Sequence, residues 1–135
     1  MLAHDVMTTN PRAVDVAATV RDALEVLDKL DVRHVPVINA QREVVGMLSD
    51  RDLQGALDAA IATRATGKPA VLLDEPVTRF MTGGPVTVEE DEELSEVVDA
   101  MVEHRIGAVP VVDADGVLVG IVSYVDVLRE AFRPE

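Results

Sequence analysis

The 135 residues predict an α+β protein made of two copies of one β-α-β-β-α unit, related by a pseudo-twofold axis. Three observations carry that prediction: self-similarity at one fixed offset, helically spaced apolar residues followed by short β-branched runs, and turn residues at matching places. Met7-Thr8 returns as Met81-Thr82, Pro11 as Pro85 and Val14 as Val88. Val35-Pro36-Val37 returns as Val109-Pro110-Val111, Val45-Gly46 as Val119-Gly120, Ser49 as Ser123 and Asp52 as Asp126, always 74 positions later. Solenoids bury a continuous core only with about three or more repeats, so two copies are expected to pack face to face instead. The expected limits are residues 1–66 for the first copy, 67–78 for a connector and 79–135 for the second.

Each element follows from local pattern. Ala13 to Val16 and Val86 to Val88 are short β-prone runs that read as strands. Val20, Ala23, Leu24, Leu27 and Leu30 recur at i, i+3, i+4 spacing and give one apolar helix face. Thr19, with Asp22 three residues later, has the pattern of an N-cap. Leu94, Val97, Val98 and Met101 repeat that face. The β-branched runs Val35 to Ile38 and Val109 to Val112 read as strands, followed by turns at Asn39 to Arg42 and Asp113 to Gly116. Gly116 suits a positive φ. Second strands follow at Val44 to Leu48 and Val117 to Val122. The pattern then turns helical, with Leu53, Leu57 and Ile61 in one copy and Val127, Leu128 and Phe132 in the other. Thr66-Gly67-Lys68-Pro69 breaks the helix and opens the connector.

Composition excludes several function classes. The formal net charge is −13 and only Phe80, Tyr124 and Phe132 are aromatic. Nucleic-acid affinity comes mainly from neutralising phosphates with cations and stacking bases on aromatic rings, so neither route is provided for. No apolar run approaches the roughly 20 residues that cross a bilayer, and Met1 to Asp5 lacks the basic, apolar character of a signal peptide. The absence of cysteine fits a reducing cytoplasm, where the protein is expected. His4, His34 and His104 have no metal-ligand spacing and read as surface or strand-edge residues, so no metal site is expected. Glu89 to Glu93 form the densest charge run, suited to the positive end of the helix that follows. Met7, Met47, Met81 and Met101 read as core filler. No phosphate-loop or dinucleotide fingerprint is present, and no nucleophile–base–acid set can be assembled, so the chain is not expected to be an enzyme.

The segments ending the second strands are the candidate site. Ser49-Asp50-Arg51-Asp52 and Ser123-Tyr124-Val125-Asp126 each put a hydroxyl at a strand end and a carboxylate three residues on, in the first turn of a helix. Helix-start N–H groups favour an anion, and a carboxylate there can accept both hydroxyls of a ribose. The same residues also make an ordinary capping box, and duplication would preserve a cap as readily as a site.

The two copies resemble a tandem pair of CBS domains, often called a Bateman module. The resemblance rests on Met7-Thr8, Val35-Pro36-Val37, Val45-Gly46-Met47-Leu48-Ser49 and Asp52, and on the matching set from Met81-Thr82 to Asp126. It implies regulatory binding of an adenosyl ligand (AMP, ADP, ATP or S-adenosylmethionine) in clefts between the paired domains, with no cofactor beyond Mg²⁺ that could accompany ATP. It further implies that Ser49 with Asp52, and Ser123 with Asp126, engage ribose and phosphate. The adenine pocket would be formed near Ala13, Val35 and Pro36 in one copy and Thr87, Val109 and Pro110 in the other. A homodimer and a separate effector protein are the implied partners. The clefts are expected to differ, because residues 1–67 carry a net −3 and residues 68–135 a net −10. Arg33 and Arg51 flank the first motif, where cations strengthen hydrogen bonds to phosphate. A phosphorylated ligand is therefore expected at Ser49/Asp52, unless those arginines pair with Asp31 or Asp50 on the surface. Two rival readings stand: a structural dimerisation module with no ligand, and an enzyme using Asp50 or Asp52 as general base.

Overall fold

Two four-stranded sheets organise the chain, and each draws strands from both copies of the repeat. The structure, a computed structural model, describes residues 1–30, 33–65 and 72–133. In chain order these form α1 (Ala3–Val6), β1 (Thr8–Thr9), β2 (Val14–Asp15), α2 (Val20–Leu30), β3 (His34–Ile38), β4 (Val44–Ser49) and α3 (Asp50–Ala65). After two 3₁₀ turns, Leu72–Asp74 and Val77–Arg79, come β5 (Thr82–Gly83), β6 (Val88–Glu89), α4 (Leu94–His104), β7 (Ala108–Val112), β8 (Leu118–Ser123) and α5 (Tyr124–Ala131). The breaker Thr66 to Pro69 and the side chain of Leu30 lie outside the described residues.

One compact unit comprises Arg12–Ala40 and Val45–Pro85 and holds the sheet β2-β3-β4-β5. Its core is Val14, Val20, Ala23, Leu27, Val35, Val37, Leu48, Leu53 and Val77. Thr19 caps α2 as its sequence predicts: Asp22 N–H donates to its hydroxyl at 3.3 Å, while its own N–H donates to the Asp22 carboxylate at 3.0 Å. Val77 is fully buried although it falls in the expected connector. It is held there because its N–H donates to Ala18 O at 3.0 Å and Val20 N–H donates to Glu75 O at 2.8 Å.

The other unit comprises Met1–Pro11, Gln41–Val44 and Val86–Glu135 and holds the sheet β1-β8-β7-β6. Its core is Ala3, Val88, Val97, Met101, Val109, Val111 and Val122, with Val6 and Met7 packed against it. The backbone of the acidic run fastens α1: Ala3 N–H donates to Glu92 O, His4 N–H to Glu90 O, and Leu94 N–H to Met1 O.

The opening strand of each copy therefore belongs to the other copy's sheet. Thr8 pairs with Ile121 and Thr9 with Gly120, while Thr82 pairs with Met47 and Gly83 with Gly46. This explains the repeated Val-Gly. A Cβ at Gly46 would collide with Met81 Sδ, and a Cβ at Gly120 with Met7 Sδ. The glycines are flat seats for the two methionines of the repeat.

Turn geometry also repeats at 74 residues. Gly84 has φ +56° where Asn10 has φ +48°, and Gly116 has φ +81° where Arg42 has φ +63°. A left-handed conformation strains an L-residue by about 1–2 kcal/mol, whereas glycine adopts it freely. Allowing for glycine's greater unfolded-state entropy, Arg42→Gly is expected to stabilise the protein by about 0.5–1 kcal/mol in urea denaturation.

The late helices differ from the sequence expectation. Of the three α3 positions expected to be apolar contacts, Leu53 is buried while Leu57 and Ile61 are exposed. On α5, Val127 packs on the core, but Leu128 is exposed and Phe132 is 81% exposed. The contacts with the cores that the described residues show, Leu53 and Val127, lie in the first turns of the two helices. Leu24, assigned to the buried face of α2, is also largely exposed.

Candidate functional site

Alternation along the strands sorts the candidate residues onto two faces. In β7 and β8, Ala108 lies opposite Ser123, Val109 opposite Val122 and Pro110 opposite Ile121. Side chains of directly opposed residues share a face, and successive residues change face. Val109 and Val122 point into the core, so Ala108, Pro110, Ile121 and Ser123 occupy the other face. Thr87, one residue before the Val88–Val111 pair, falls beside Pro110. The first copy reproduces this arrangement: Val35, Val37 and Leu48 are core, and Val14 pairs with Val37, which sets Ala13 beside Pro36. A shared hydrogen bond locks both registers, Asp50 N–H to Arg33 O at 2.9 Å and Tyr124 N–H to Gly107 O at 3.0 Å.

Ala13, Pro36 and Ser49, and likewise Thr87, Pro110 and Ser123, thus share the face opposite each core, with Pro36 and Pro110 fully buried there. Val35 and Val109 do not. Both are 0% exposed inside their cores, so their side chains are spent on packing and only their main chains are left for a ligand.

At the helix entrances the hydroxyl and carboxylate are joined. Ser49 N–H donates to Asp52 Oδ2 at 2.8 Å and Asp52 N–H donates to Ser49 Oγ at 3.0 Å. In the second copy Ser123 N–H donates to Asp126 Oδ2 at 2.9 Å, Ser123 Oγ donates to the same oxygen at 3.0 Å, and Asp126 N–H donates to Ser123 Oγ at 3.2 Å. The motif is a capping box in both places. The first-turn N–H groups expected to face an anion are therefore partly committed: those of Asp50 and Asp52 already have acceptors. The second carboxylate oxygen, Oδ1, differs in use, since Asp126 Oδ1 lies 3.9 Å from Arg129 Nη1. Arg33 and Arg51 are both exposed, and among the described residues, Asp50 included, no ion pair takes either one; Asp31, the other expected partner, lies outside the described residues.

His34 was read from sequence as a surface or strand-edge residue, yet it opens β3 on the same face as Pro36 and Ser49 and is half-buried. Burial pushes its imidazole below the ordinary histidine pKa. The Asp50 and Asp52 carboxylates pull it back up and Arg33 pushes it down. The sequence signal that could have found it is parity: with Val35 in the core, His34 and Pro36 must face the other way. Among the described residues no group of three or more His, Cys, Asp or Glu could hold a metal ion, and no helix is long and apolar enough to cross a membrane.

Comparison with known proteins identifies the family. The CBS domain family profile matches residues 3–59 and again 77–133. A protein of Methanopyrus kandleri is 34% identical over 129 residues, covering 93% of this chain and 58% of its own length. The chain spans 22%, 24% and 38% of three further curated relatives, so it corresponds to part of their length. The crystal structure of CBSX2 in complex with AMP, a CBS-pair protein from Arabidopsis thaliana, superposes with a TM-score of 0.81 at 30% identity, covering 98% of this chain and 96% of that one. The CBS domain pair of protein MJ0100, in complex with 5′-methylthioadenosine and S-adenosyl-L-methionine, gives a TM-score of 0.81 at 26% identity over 97% and 95% of the two chains. With the profile matched twice, over most of the length, the chain belongs to the CBS domain family, as a tandem pair.

Proposed function

We propose that this CBS pair is a regulatory module that binds adenosyl ligands at Ser49/Asp52 and Ser123/Asp126 and passes occupancy to a partner by shifting a conformational equilibrium. One observation carries the reading most directly: the similarity, over nearly the whole chain, to a CBS-pair protein in complex with AMP and to another with 5′-methylthioadenosine and S-adenosyl-L-methionine. The matching hydroxyl–carboxylate pairs at the helix entrances support it chemically. Each Asp uses Oδ2 for its cap, which leaves Oδ1 as the acceptor for ribose hydroxyls. Ala13 and Pro36, or Thr87 and Pro110, would meet the adenine, with the main chain of Val35 or Val109. Arg33 and Arg51 favour a phosphorylated ligand at the first segment, where exposed cations stand beside the cap. Exposed apolar residues on α5, among them Tyr124, Val125, Leu128 and Phe132, support self-association as a homodimer.

Thermal-shift screening of AMP, ATP and S-adenosylmethionine, followed by titration calorimetry, tests the proposal. A ligand that binds only the native state raises its stability by mass action. Asp52→Asn keeps an acceptor for the cap and replaces the other oxygen with a donor, so AMP affinity is expected to fall about tenfold or more. Asp126→Asn is expected to weaken AMP less. If only Asp126→Asn weakened AMP, the assignment of phosphate to the first segment would be wrong. No shift with any adenosyl compound at millimolar concentration would leave a structural dimerisation module.

A further inference from the structure

We infer that His34 makes phosphate recognition at the Ser49/Asp52 segment depend on pH, while the Ser123/Asp126 segment, with Ala108 in the equivalent place, stays indifferent. The inference rests on the adenosyl-ligand reading above and adds a residue that discriminates phosphorylated from unphosphorylated ligands. Its basis is position. Ala108 sits directly opposite Ser123, and the shared register puts His34 opposite Ser49, on the face that carries the candidate ligand groups. An imidazole there is the one side chain at this sheet end able to change charge near neutrality.

The surroundings set the direction of the effect. Half-burial holds the imidazole below its ordinary pKa, which favours the neutral form. Among the described residues, the charges acting on it are Asp50 and Asp52 from α3 and the adjoining Arg33. β4 contributes no ionisable side chain, and Asp15 on β2 pairs with Ile38 at the far end of β3. The ionisable residues of α2, Arg21, Asp22, Glu25, Asp28 and Lys29, do not act on it. A phosphate beside it would supply an opposite charge and raise its pKa, so binding takes up a proton at His34. Affinity owed to His34 then grows as pH falls through the ligand-bound pKa and levels off below the lower, ligand-free one. Replacing a neutral hydrogen bond by a charge-assisted one corresponds to roughly a fivefold gain.

The test compares AMP with adenosine by calorimetry at pH 7.5, 6.5 and 5.5, each in two buffers of different ionisation enthalpy. The proteins are the wild type, His34→Ala, which copies Ala108, and His34→Gln as a second variant. NMR titration of the His34 imidazole with and without AMP, against the exposed His4 and His104, needs no variant at all. The expected result is an AMP affinity ratio of wild type to His34→Ala that rises about fivefold from pH 7.5 to 5.5. Proton uptake in the wild type should exceed that of either variant, the imidazole pKa should rise on AMP binding, and adenosine should show none of this. AMP binding with a pH-independent ratio and an unmoved imidazole would overturn the role of His34 and leave the adenosyl reading intact. Failure of AMP and adenosine alike to bind at any pH would overturn both.

Discussion

Deletion of residues 1–11 is expected to unfold the unit built on β6, β7 and β8 while sparing the core around Val35 and Leu48. The deleted segment lies at one end of the chain but supplies Ala3, Val6 and Met7 to the second core and β1 to the edge of its sheet. Burial of a Val or Met side chain stabilises by about 1.5–3 kcal/mol, and each net backbone hydrogen bond by about 1 kcal/mol. The bonds from Ala3 and His4 to the Glu90–Glu92 backbone and from Leu94 to Met1 are lost with it. Together these losses approach the roughly 5–15 kcal/mol that keeps a whole domain folded. In an ¹⁵N–¹H correlation spectrum, amides from Val88 to Ser123 should collapse to random-coil shifts. Those of α2, β3 and β4 should stay dispersed, since their unit begins at Arg12. A deletion spectrum with β7 and β8 intact would show that the exchanged strand contributes little.

Alanine at the two methionine seats is expected to be harmful to different degrees. The three atoms nearest a Cβ at Gly46 all belong to the Met81 side chain, with Cγ at 3.0 Å and Cε at 3.2 Å beyond the closest contact with Sδ. A flexible thioether can rotate away, so Gly46→Ala should cost about 1 kcal/mol. At Gly120 the added carbon also meets Thr8 O at 3.1 Å, a backbone atom of β1 that cannot move without the strand. Gly120→Ala should therefore cost about 2–3 kcal/mol. Chemical denaturation of Gly120→Ala, Met7→Ala and the double variant measures the coupling. It is expected to be at least about 1 kcal/mol, because the shortened side chain removes one of the two collisions. Additive effects would mean that the methionine and the glycine do not constrain each other.

Much of this architecture was legible because it depends on local rules. The fixed offset found the two copies, and short β-branched and apolar runs between turns found β3, β4, β7 and β8 within a residue or so of their observed limits. Thr19 and Asp22 announced a cap that the structure contains. What local rules do not contain is which sheet a two-residue strand joins. Thr8-Thr9 reads the same whether it pairs with its own copy or the other. The decision belongs to long-range packing of Met7 on Gly120. The exposed Leu57, Ile61 and Phe132 show the converse limit, for helical spacing marks an apolar stripe without saying whether the chain's own core will cover it. At the candidate site, the spacing of Ser49 with Asp52 and of Ser123 with Asp126 announced capping boxes that the structure contains. The sorting of Val35 and Val109 into the cores, and of His34 onto the opposite face, required the observed register.

The crossed opening strands have a consequence for the gene as well as for the molecule. A polypeptide carrying only one copy would keep a methionine key and a glycine keyhole meant for each other's twin, separated by equivalent positions. Two such half-length chains could fulfil the same strand pairings reciprocally, one lending to the other what a single duplicated chain lends to itself. Duplication of this unit thus turns an intermolecular handshake into a covalent one, and neither half can afterwards drift in its Met-Thr opening without injuring its neighbour.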